Sequence, residues 1–298
     1  MHAVHLLPGD QQRMKPDLDL SDSAGTHRVL AFMNQKGGCG KTTTAVHLAG
    51  ALSSLGERVL LIDLDPQAHA TMALGYAVFD EMSLIDLLLG ACDADACVQE
   101  VAGNIRLIPS SPRVAHFEES AERMLTPERR LLDAINSLSM DFDWILLDCP
   151  PRAGGVLCAN AMRACDEVVL VVETGAFALQ GALQALQLIE AHSTSYSAAF
   201  DVTVLATMFD RRTRFAREVL LALQMRFGDA LLDTVIRSSI RLREAAAIGE
   251  PIQVFSPRSR AAKDFAALAS ELMSALGARS SRVATPDRGS RVTRSNPH

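Results

Sequence analysis

The sequence predicts an α/β fold in which a mainly parallel β-sheet carries helices on both faces of a single domain. Short apolar runs recur along the chain, and their uniform apolarity is typical of strands buried on both faces. The segments between these runs repeat apolar residues at helical spacing. The 298 residues are 48% apolar, which suffices for one large core. No shift in composition marks a linker, so we expect one domain.

Six apolar runs define the predicted strands. They are VLAFM at 29–33, RVLLI at 58–62, IRLIP at 105–109, WILL at 144–147, VVLVV at 168–172 and VTVLATM at 202–208. Apolar residues repeat at i, i+3, i+4 and i+7 over 45–52 and again over 265–272, which predicts helices there. Right-handed crossovers are expected to connect the parallel strands.

The two ends of the chain differ from the predicted domain, which spans residues 28–276. Residues 1–27 and 277–298 are polar and lack apolar periodicity, so both are predicted to be disordered tails. The C-terminal tail is basic, with five arginines against Asp287. It is either a solvated tail or an auxiliary arm that contacts phosphates.

Composition excludes several classes of protein. The chain has no apolar run of about 18 residues and no basic-then-apolar N-terminal signal, so we expect a cytoplasmic protein rather than an exported or membrane-spanning one. Its six cysteines form no C-x-x-C pair, which argues against a zinc ribbon, a redox dithiol or a cluster scaffold. The net charge of −6 gives no indication of nucleic acid by itself.

The stretch NQKGGCGKTTT at 34–44 lies between a predicted strand and a predicted helix, where a phosphate-binding loop is expected. Its glycines let backbone N–H groups point at an anion, and the helix adds its positive N-terminal end. Lys41 is placed to reach the β- and γ-phosphates and Thr42 to ligate Mg²⁺. These features predict a P-loop NTPase. The loop residues expected to bind the nucleotide are Gly37, Gly38, Cys39, Gly40, Lys41, Thr42 and Thr43.

The loop departs from the pattern G-x-x-x-x-G-K-[ST] in two ways. Gln35 stands where the first glycine is expected, and Lys36 is a second cation five residues before Lys41. No chemistry is assigned to Cys39. A triphosphate site also needs carboxylates at the ends of neighbouring strands. Asp63 and Asp65 follow one predicted strand, and Asp148 ends another.

Four segments, KGGCGKTTT, VLLIDLDPQAHAT, WILLDCPP and TMFDRRT, resemble in order the ParA/Soj branch of the deviant Walker A ATPases, which are relatives of MinD. The resemblance spans about residues 28–276 and implies ATP and Mg²⁺ as cofactors. It identifies Lys36 with the signature lysine, which crosses the interface of an ATP-bound homodimer to the partner's nucleotide. It also implies slow ATP hydrolysis stimulated by a partner protein, with Lys36, Lys41 and Asp65 as the catalytic residues.

The same resemblance assigns roles to the carboxylates. Asp65 orients or activates the attacking water, and Asp63 supports the metal and the loop. Asp148 is the Walker B carboxylate, which holds Mg²⁺ through a water molecule and forms the metal site with Thr42 and Asp63. Pro66 and Gln67 belong to a mobile segment that senses the γ-phosphate.

A basic stretch interrupts this acidic chain. Eight arginines and three acids lie between Arg211 and Arg243. Composition alone leaves two interpretations open, a solvated salt-bridged helical face and a surface that binds phosphate backbones. The resemblance favours the second, because the family's DNA-binding arginines fall on Arg212 and Arg241. Arg237 adds a contact if it shares a helical turn with Arg241.

The DNA interface departs from the family pattern, since IRSSIRL at 236–242 replaces the common I-P-R-N-V-R-L. Binding is expected to be insensitive to base sequence and sensitive to salt. The single tryptophan lies in a predicted buried strand, so no aromatic surface indicates single-strand stacking, and duplex DNA is expected.

The expected function is therefore an ATP-dependent dimerising switch that binds DNA non-specifically and segregates or positions DNA or another cargo. A ParB-like partner or other cargo adaptor would stimulate hydrolysis. One alternative is a MinD-like membrane switch, although residues 277–298 lack the bulky apolar residues of an amphipathic anchor. The other is a metabolic ligase of the dethiobiotin synthetase type. About 27 residues before the first strand are too few for an operator-reading domain.

Overall fold

A sheet with the strand order β3-β4-β2-β5-β1-β6-β7 forms the centre of the computed structural model, which describes residues 27–77, 82–151, 154–196 and 200–283. All neighbouring strands are parallel except β3 and β4. The strands are β1 (Arg28–Met33), β2 (Val59–Asp63), β3 (Gln99–Ala102), β4 (Ile105–Ile108), β5 (Trp144–Asp148), β6 (Glu167–Glu173) and β7 (Asp201–Thr207).

The predicted mainly parallel sheet is confirmed, and each of the six predicted strands is present within about a residue at either end. Strand β7 ends at Thr207 because Met208 adopts a left-handed backbone conformation with φ 53°. Sequence analysis missed β3, whose residues QEVA are half polar and none of which is fully buried. An edge strand of this kind needs no uniform apolar run, because only one of its sides is paired.

Helices cover both faces of the sheet, as predicted. They are α1 (Lys41–Ser54), α2 (His69–Ala73), α3 (Leu84–Leu89), α4 (His116–Ala121), α5 (Arg130–Asn136), α6 (Val156–Ala164), α7 (Ala178–Tyr196), α8 (Arg214–Phe227), α9 (Ile240–Ile248), α10 (Ile252–Phe255) and α11 (Arg260–Val283).

Alternate residues of each inner strand pack into different cores, as pleating requires. In β1, Leu30 and Phe32 face a core shared with α1 and α11, whereas Val29 and Ala31 face a core shared with α5 and α6. Helix α1, which follows the phosphate-binding loop, is therefore fixed between the sheet and α11.

Helix α11 continues to Val283, seven residues beyond the predicted domain boundary at 276. Gly277 costs a helix only about 1 kcal/mol relative to alanine, and the alanine and arginine that follow favour helix. Residues 1–26 and 284–298, where the rest of the two predicted tails falls, lie outside the described residues. Among the helices that the structure describes, none is long and apolar enough to cross a membrane.

The strand order brings the functional segments together. Strand β1 lies between β5 and β6, and β2 lies on the other side of β5. The loop after β1 and the carboxylates that end β2 and β5 therefore meet at one edge of the sheet, where ligands of open α/β sheets bind.

Candidate functional site

The loop after β1 has the geometry of an anion-binding cradle. Gly38 and Gly40 adopt φ values of 76° and 99°, which favour glycine. Gly40 is the N-cap of α1, and its carbonyl accepts the first helical bond from the N–H of Thr44 at 2.8 Å. The loop thereby turns its backbone into the N-terminus of a 14-residue helix, where backbone N–H groups and the helix dipole favour a bound phosphate.

A cavity of about 570 Å³ opens in front of this loop. It brings together six of the sequence-predicted nucleotide residues with the predicted water-orienting carboxylate, namely Gly37, Gly38, Gly40, Lys41, Thr42, Thr43 and Asp65. Lys41 is buried, and its amine lies 3.5 Å from the carbonyl of Lys36. Within the part of the chain that the structure describes, no carboxylate forms an ion pair with Lys41, so its charge is available to a ligand.

Asp148 lies fully buried at the end of β5, beside this cavity. Neither of its carboxylate oxygens has a hydrogen-bond partner among the described residues. Burial raises the pKa of Asp148 well above its ordinary value, and neighbouring Asp63 raises it further, while Thr42 and Lys41 oppose part of the rise. A buried carboxylate without a donor, next to a threonine hydroxyl, fits the oxygen ligands of Mg²⁺. The predicted pairing of Asp148 with Thr42 at a metal site is therefore compatible with the geometry.

Asp63 has a different environment from Asp148. Its Oδ1 accepts from the N–H of Asp65 at 3.1 Å, and its Oδ2 accepts from the N–H and hydroxyl of Thr71 at 2.8 and 2.7 Å. Burial raises the pKa of Asp63 to about 6 despite these bonds. Because both oxygens already accept protein donors, the side chain holds the segment after β2 in place. Of the two roles predicted for Asp63, this geometry suits support of the loop rather than direct metal binding.

Asp65 lines the cavity and is largely buried. Its Oδ1 accepts from the N–H of Gln67 at 2.9 Å, which organises the turn that leads into α2. Gln67, which belongs to the segment predicted to sense the γ-phosphate, also lines the cavity.

Lys36 does not line the cavity. Its N–H donates to Asn34 Oδ1 at 3.0 Å, and buried Asn34 donates to the carbonyl of Val171 at 2.6 Å, which ties the loop to β6. The Lys36 amine forms an ion pair with Glu173 Oε2 at 2.5 Å. The amine is therefore turned away from the protein's own nucleotide cavity.

The cysteines near the site are structural. Cys39 is buried, and its carbonyl accepts from the Thr207 hydroxyl at 2.7 Å. Burial raises the pKa of the Cys39 thiol, and burial likewise raises the pKa of Cys149 and Cys158. Thiols with raised pKa values are poor nucleophiles and poor metal ligands at neutral pH.

The predicted DNA-binding arginines lie around a second cavity of about 410 Å³. Arg212 and Arg237 line it together with Arg211 and Arg260. Arg241 does not line it, but α9, which carries Arg241, begins at its edge with Ile240.

The expectation that Arg237 and Arg241 share a helical turn is wrong. Arg237 forms an isolated bridge with Phe209 and precedes α9, because Ser239 caps that helix by accepting from the N–H of Arg241. The Arg237 guanidinium binds Asp264 through both carboxylate oxygens. Arg237 is thus partly occupied within the protein.

The other two arginines also have carboxylate partners. Arg212 pairs with Asp210 at 2.8 Å and lowers the pKa of Asp210 to about 2. Arg241 pairs with Glu244 at 2.9 Å. Both guanidinium groups remain exposed, with 85% and 57% of their side chains accessible, so a ligand can reach them.

Sequence reasoning missed part of the nucleotide cavity wall. His69, Met72, Met208, Ala246 and Ala247 also line it. The last two belong to α9, which is far from the loop in sequence, and no local pattern distinguishes them from ordinary helix residues. Met208 is placed by its left-handed backbone, which no sequence signal encodes for a methionine.

Comparison with known proteins gives consistent findings. The family model described as an AAA domain matches residues 27–202. The sporulation initiation inhibitor protein Soj of Bacillus subtilis is 36% identical over 248 residues, which cover 82% of this chain and 98% of Soj. The chromosome partitioning protein ParA of Caulobacter vibrioides is 35% identical over 257 residues, covering 85% of this chain and 96% of that protein.

Solved structures share the fold. The crystal structure of cobyrinic acid a,c-diamide synthase from Mycobacterium smegmatis with bound ADP and magnesium matches with a TM-score of 0.74 and 30% identity, over 85% of this chain and 96% of that one. A putative plasmid partition protein of Borrelia burgdorferi, bound to AMPPNP, matches with a TM-score of 0.73 and 23% identity, over 84% and 99% of the two chains. The second likeness concerns the fold alone.

Proposed function

The chain belongs to the ParA/Soj family of partition ATPases, and from that premise we propose that it is an ATP-dependent dimerising switch that binds duplex DNA without sequence preference. Hydrolysis of ATP, slow until a partner protein stimulates it, would return the dimer to monomers and release the DNA. The observation that carries the proposal is the cavity that unites Lys41, Thr42 and Asp65 beside the unpaired oxygens of Asp148.

The residues present fit MgATP. The loop from Gly37 to Thr43 would bind the phosphates through backbone N–H groups, with Lys41 neutralising the β- and γ-phosphates. Thr42 and Asp148 would hold Mg²⁺, which neutralises charge that develops on the phosphates. Asp65, at the cavity wall, would orient the attacking water. Structures similar in fold contain ADP with magnesium or AMPPNP, which is consistent with this assignment.

The second cavity, which Arg211, Arg212, Arg237 and Arg260 line and which we call the basic cleft, supports the DNA-binding part of the proposal. Arg212 and Arg241 present exposed guanidinium groups near one cavity, and phosphodiester oxygens would compete with Asp210 and Glu244 for them. Contacts of this kind recognise the backbone and carry no base sequence. Arg237 would contribute more by shaping the cleft through Asp264 than by a free charge.

The kind of partner is proposed from the family. A ParB-like protein or another cargo adaptor would stimulate hydrolysis, and the ATP-bound dimer would associate with the nucleoid in the cytoplasm. A small-molecule ligase, as suggested by the similarity to the diamide synthase, would have no use for exposed arginines around a second cleft. A MinD-like membrane switch would need an amphipathic anchor in the C-terminal segment, of which residues 284–298 lie outside the described residues.

Sedimentation on non-specific duplex DNA tests the proposal, with ATP compared to ADP for wild type, Lys36→Ala and Arg241→Glu. The expected result is an ATP-dependent DNA-bound dimer in wild type, loss of both dimer and DNA binding in Lys36→Ala, and a dimer without DNA binding in Arg241→Glu. Arg129→Glu is the matched control, because Arg129 is also exposed and is paired with Asp133 of α5, the helix that begins at the next residue. A protein that stays monomeric and off DNA with every nucleotide would refute the proposal.

A further inference from the structure

The ion pair between Lys36 and Glu173 follows from the register of the sheet. Strands β1 and β6 are parallel neighbours and pair Met33 with Leu170. Lys36 lies three residues beyond Met33, in the loop after β1, and Glu173, the last residue of β6, lies three residues beyond Leu170, so the two segments run side by side as far as the ion pair. The pair is consequently built into the fold and is not a chance meeting of two long side chains.

The backbone on both sides of this pair is fixed. Asn34 connects the Lys36 N–H to β6 through its buried amide. After Glu173, the N–H of Thr174 donates to the carbonyl of Thr207 at 2.9 Å, which ties this point to β7. The backbone therefore stays in place, and only the two side chains are able to change partners. The Lys36 side chain is 55% exposed and the Glu173 side chain 30% exposed, so a new partner can reach both.

We propose that Glu173 is a positioning residue that restrains Lys36 in the monomer and so opposes formation of the ATP-bound dimer. This inference rests on the proposed function, in which the Lys36 amine must reach the phosphates of a second copy. Glu173 attracts the amine to its place beside β6, and movement of the amine toward a partner's nucleotide weakens that attraction, so the two contacts compete. Glu173 thereby raises the concentration of ATP-bound monomer at which dimers form.

Gly175 gives a second way to disturb the contact without removing charge. A Cβ at Gly175 would lie 3.2 Å from Glu173 Oε1 and 3.3 Å from its Cδ, which is closer than ordinary contact. Gly175 is outside the left-handed region, so alanine there adds no backbone strain. Gly175→Ala should therefore displace the carboxylate from its position beside Lys36.

The first measurement is the monomer–dimer dissociation constant by analytical ultracentrifugation, without DNA, in Mg²⁺ and the slowly hydrolysed analogue ATPγS. An exposed ion pair changes an equilibrium by up to about fivefold, and a dimer releases two of them, so Glu173→Gln should tighten the dimer by up to about 25-fold. Gly175→Ala should act in the same direction with a smaller effect. Glu100→Gln is the matched control, because Glu100 forms a surface pair with Arg106 at 2.6 Å at the far edge of the sheet.

The second measurement does not depend on dimers. The chain has four lysines, Lys15, Lys36, Lys41 and Lys263, so amine acetylation can be followed at each by mass spectrometry. Without nucleotide, Lys36 should react about two- to fivefold faster in Glu173→Gln than in wild type, with Lys263 unchanged as an internal reference. A role of Glu173 in folding alone would not change the rate at Lys36 selectively.

The outcomes separate the two proposals. If wild type dimerises with ATPγS but Glu173→Gln leaves the constant unchanged or weakens the dimer, the restraint by Glu173 is refuted and the proposed function stands. Unchanged reactivity of Lys36 in Glu173→Gln also refutes the restraint. If Lys36 becomes more reactive in Glu173→Gln but neither wild type nor any variant dimerises, the ion pair is confirmed and the ATP-bound dimer is refuted. The proposed role of Glu173 in opposing that dimer is then refuted as well.

Discussion

The nucleotide cavity and the basic cleft hold their charges in opposite ways. In the cavity, Lys41 and Asp148 are buried, and neither forms an ion pair with another of the described residues. In and beside the cleft, Arg212, Arg237 and Arg241 each already form an ion pair with a carboxylate. A buried group without a partner is available to one ligand in one place, whereas an exposed paired group can exchange partners with anything of suitable charge. The difference teaches that the cavity is suited to bind one specific ligand, whereas the cleft is suited to bind many ligands of negative charge.

The largest expected effect is the loss of Lys41. Because its buried amine is the cavity's dedicated cation, Lys41→Ala should weaken binding of ATP by on the order of 100-fold or more. Titration with a fluorescent ATP analogue measures this, with circular dichroism to verify folding. Lys263→Ala, at an exposed position on α11, should leave the affinity unchanged. Equal affinities of Lys41→Ala and Lys263→Ala for the ATP analogue would show that the buried Lys41 amine is not the cation that binds the nucleotide.

The second prediction concerns pH and separates the buried carboxylates from the exposed ones. Burial raises the pKa of Asp148 and of Asp63, the latter from 3.8 to about 6, so both destabilise the nucleotide-free protein as pH rises through their folded values. Asp148→Asn removes the buried charge of residue 148 and also removes its repulsion of the Asp63 carboxylate. The gain in free energy of unfolding of Asp148→Asn over wild type should therefore be about 1–3 kcal/mol larger at pH 7 than at pH 5.

Urea denaturation at the two pH values measures this difference. The variant must be compared with wild type because His47 changes the stability of both proteins with pH in the direction opposite to that of Asp148 and Asp63. Burial lowers the pKa of His47 to about 4, so its contribution to stability is lost as pH falls below the ordinary value of 6.5. That term is common to both proteins and cancels. Asp210 in the cleft, with a pKa of about 2, stays ionised throughout and adds no slope. An identical gain at both pH values would contradict the prediction.

A third prediction tests whether Arg237 differs from the other arginines of the cleft. Only 8% of the Asp264 side chain is exposed, so Arg237→Ala would leave a nearly buried carboxylate without its partner. We expect the free energy of unfolding to fall by about 1–3 kcal/mol, measured by urea denaturation at pH 7. Arg237→Lys should recover part of the loss, because it restores the charge but not the bidentate contact. A loss below about 0.5 kcal/mol would place Arg237 with the exposed arginines.

The smallest expected effect on stability belongs to Arg212. The Arg212 guanidinium is exposed, so the urea denaturation curve of Arg212→Ala should match that of wild type. The same variant should still weaken DNA binding and reduce the slope of log affinity against log salt by about 1. Arg129→Ala provides the control for both measurements. An unchanged salt slope would exclude Arg212 from the phosphate contacts.

Sequence reasoning reached the features that local patterns encode. The loop from Gly37 to Thr43 and the carboxylates at the ends of β2 and β5 were predicted because glycines, a strand end and a helix start have distinct signatures. The fold class followed from the apolar runs. What these predictions share is that each depends on residues close together in the chain.

The failures concern contacts between distant segments. Nothing near Arg237 in sequence indicates that Asp264 will hold it, and the spacing from Arg241 suggested a helical turn that Ser239 prevents by capping α9. The wall formed by Ala246 and Ala247 depends on how α9 packs across the sheet edge. Strand β3 was missed because an edge strand tolerates polar residues. Tertiary packing decides each of these cases.

The unpaired oxygens of Asp148 also bear on how long each molecule survives in a cell. A ligand that binds only the folded state lowers the fraction of unfolded chains by mass action, and the effect grows with its concentration. Proteases act on the unfolded fraction, so a difference of about 1–2 kcal/mol changes abundance several-fold. Because the buried Asp148 carboxyl, whose pKa burial raises, lowers the stability of the nucleotide-free protein at neutral pH, we expect the nucleotide-free form to be degraded faster. The copy number of this protein would then decline when cellular ATP falls, without any change in its synthesis.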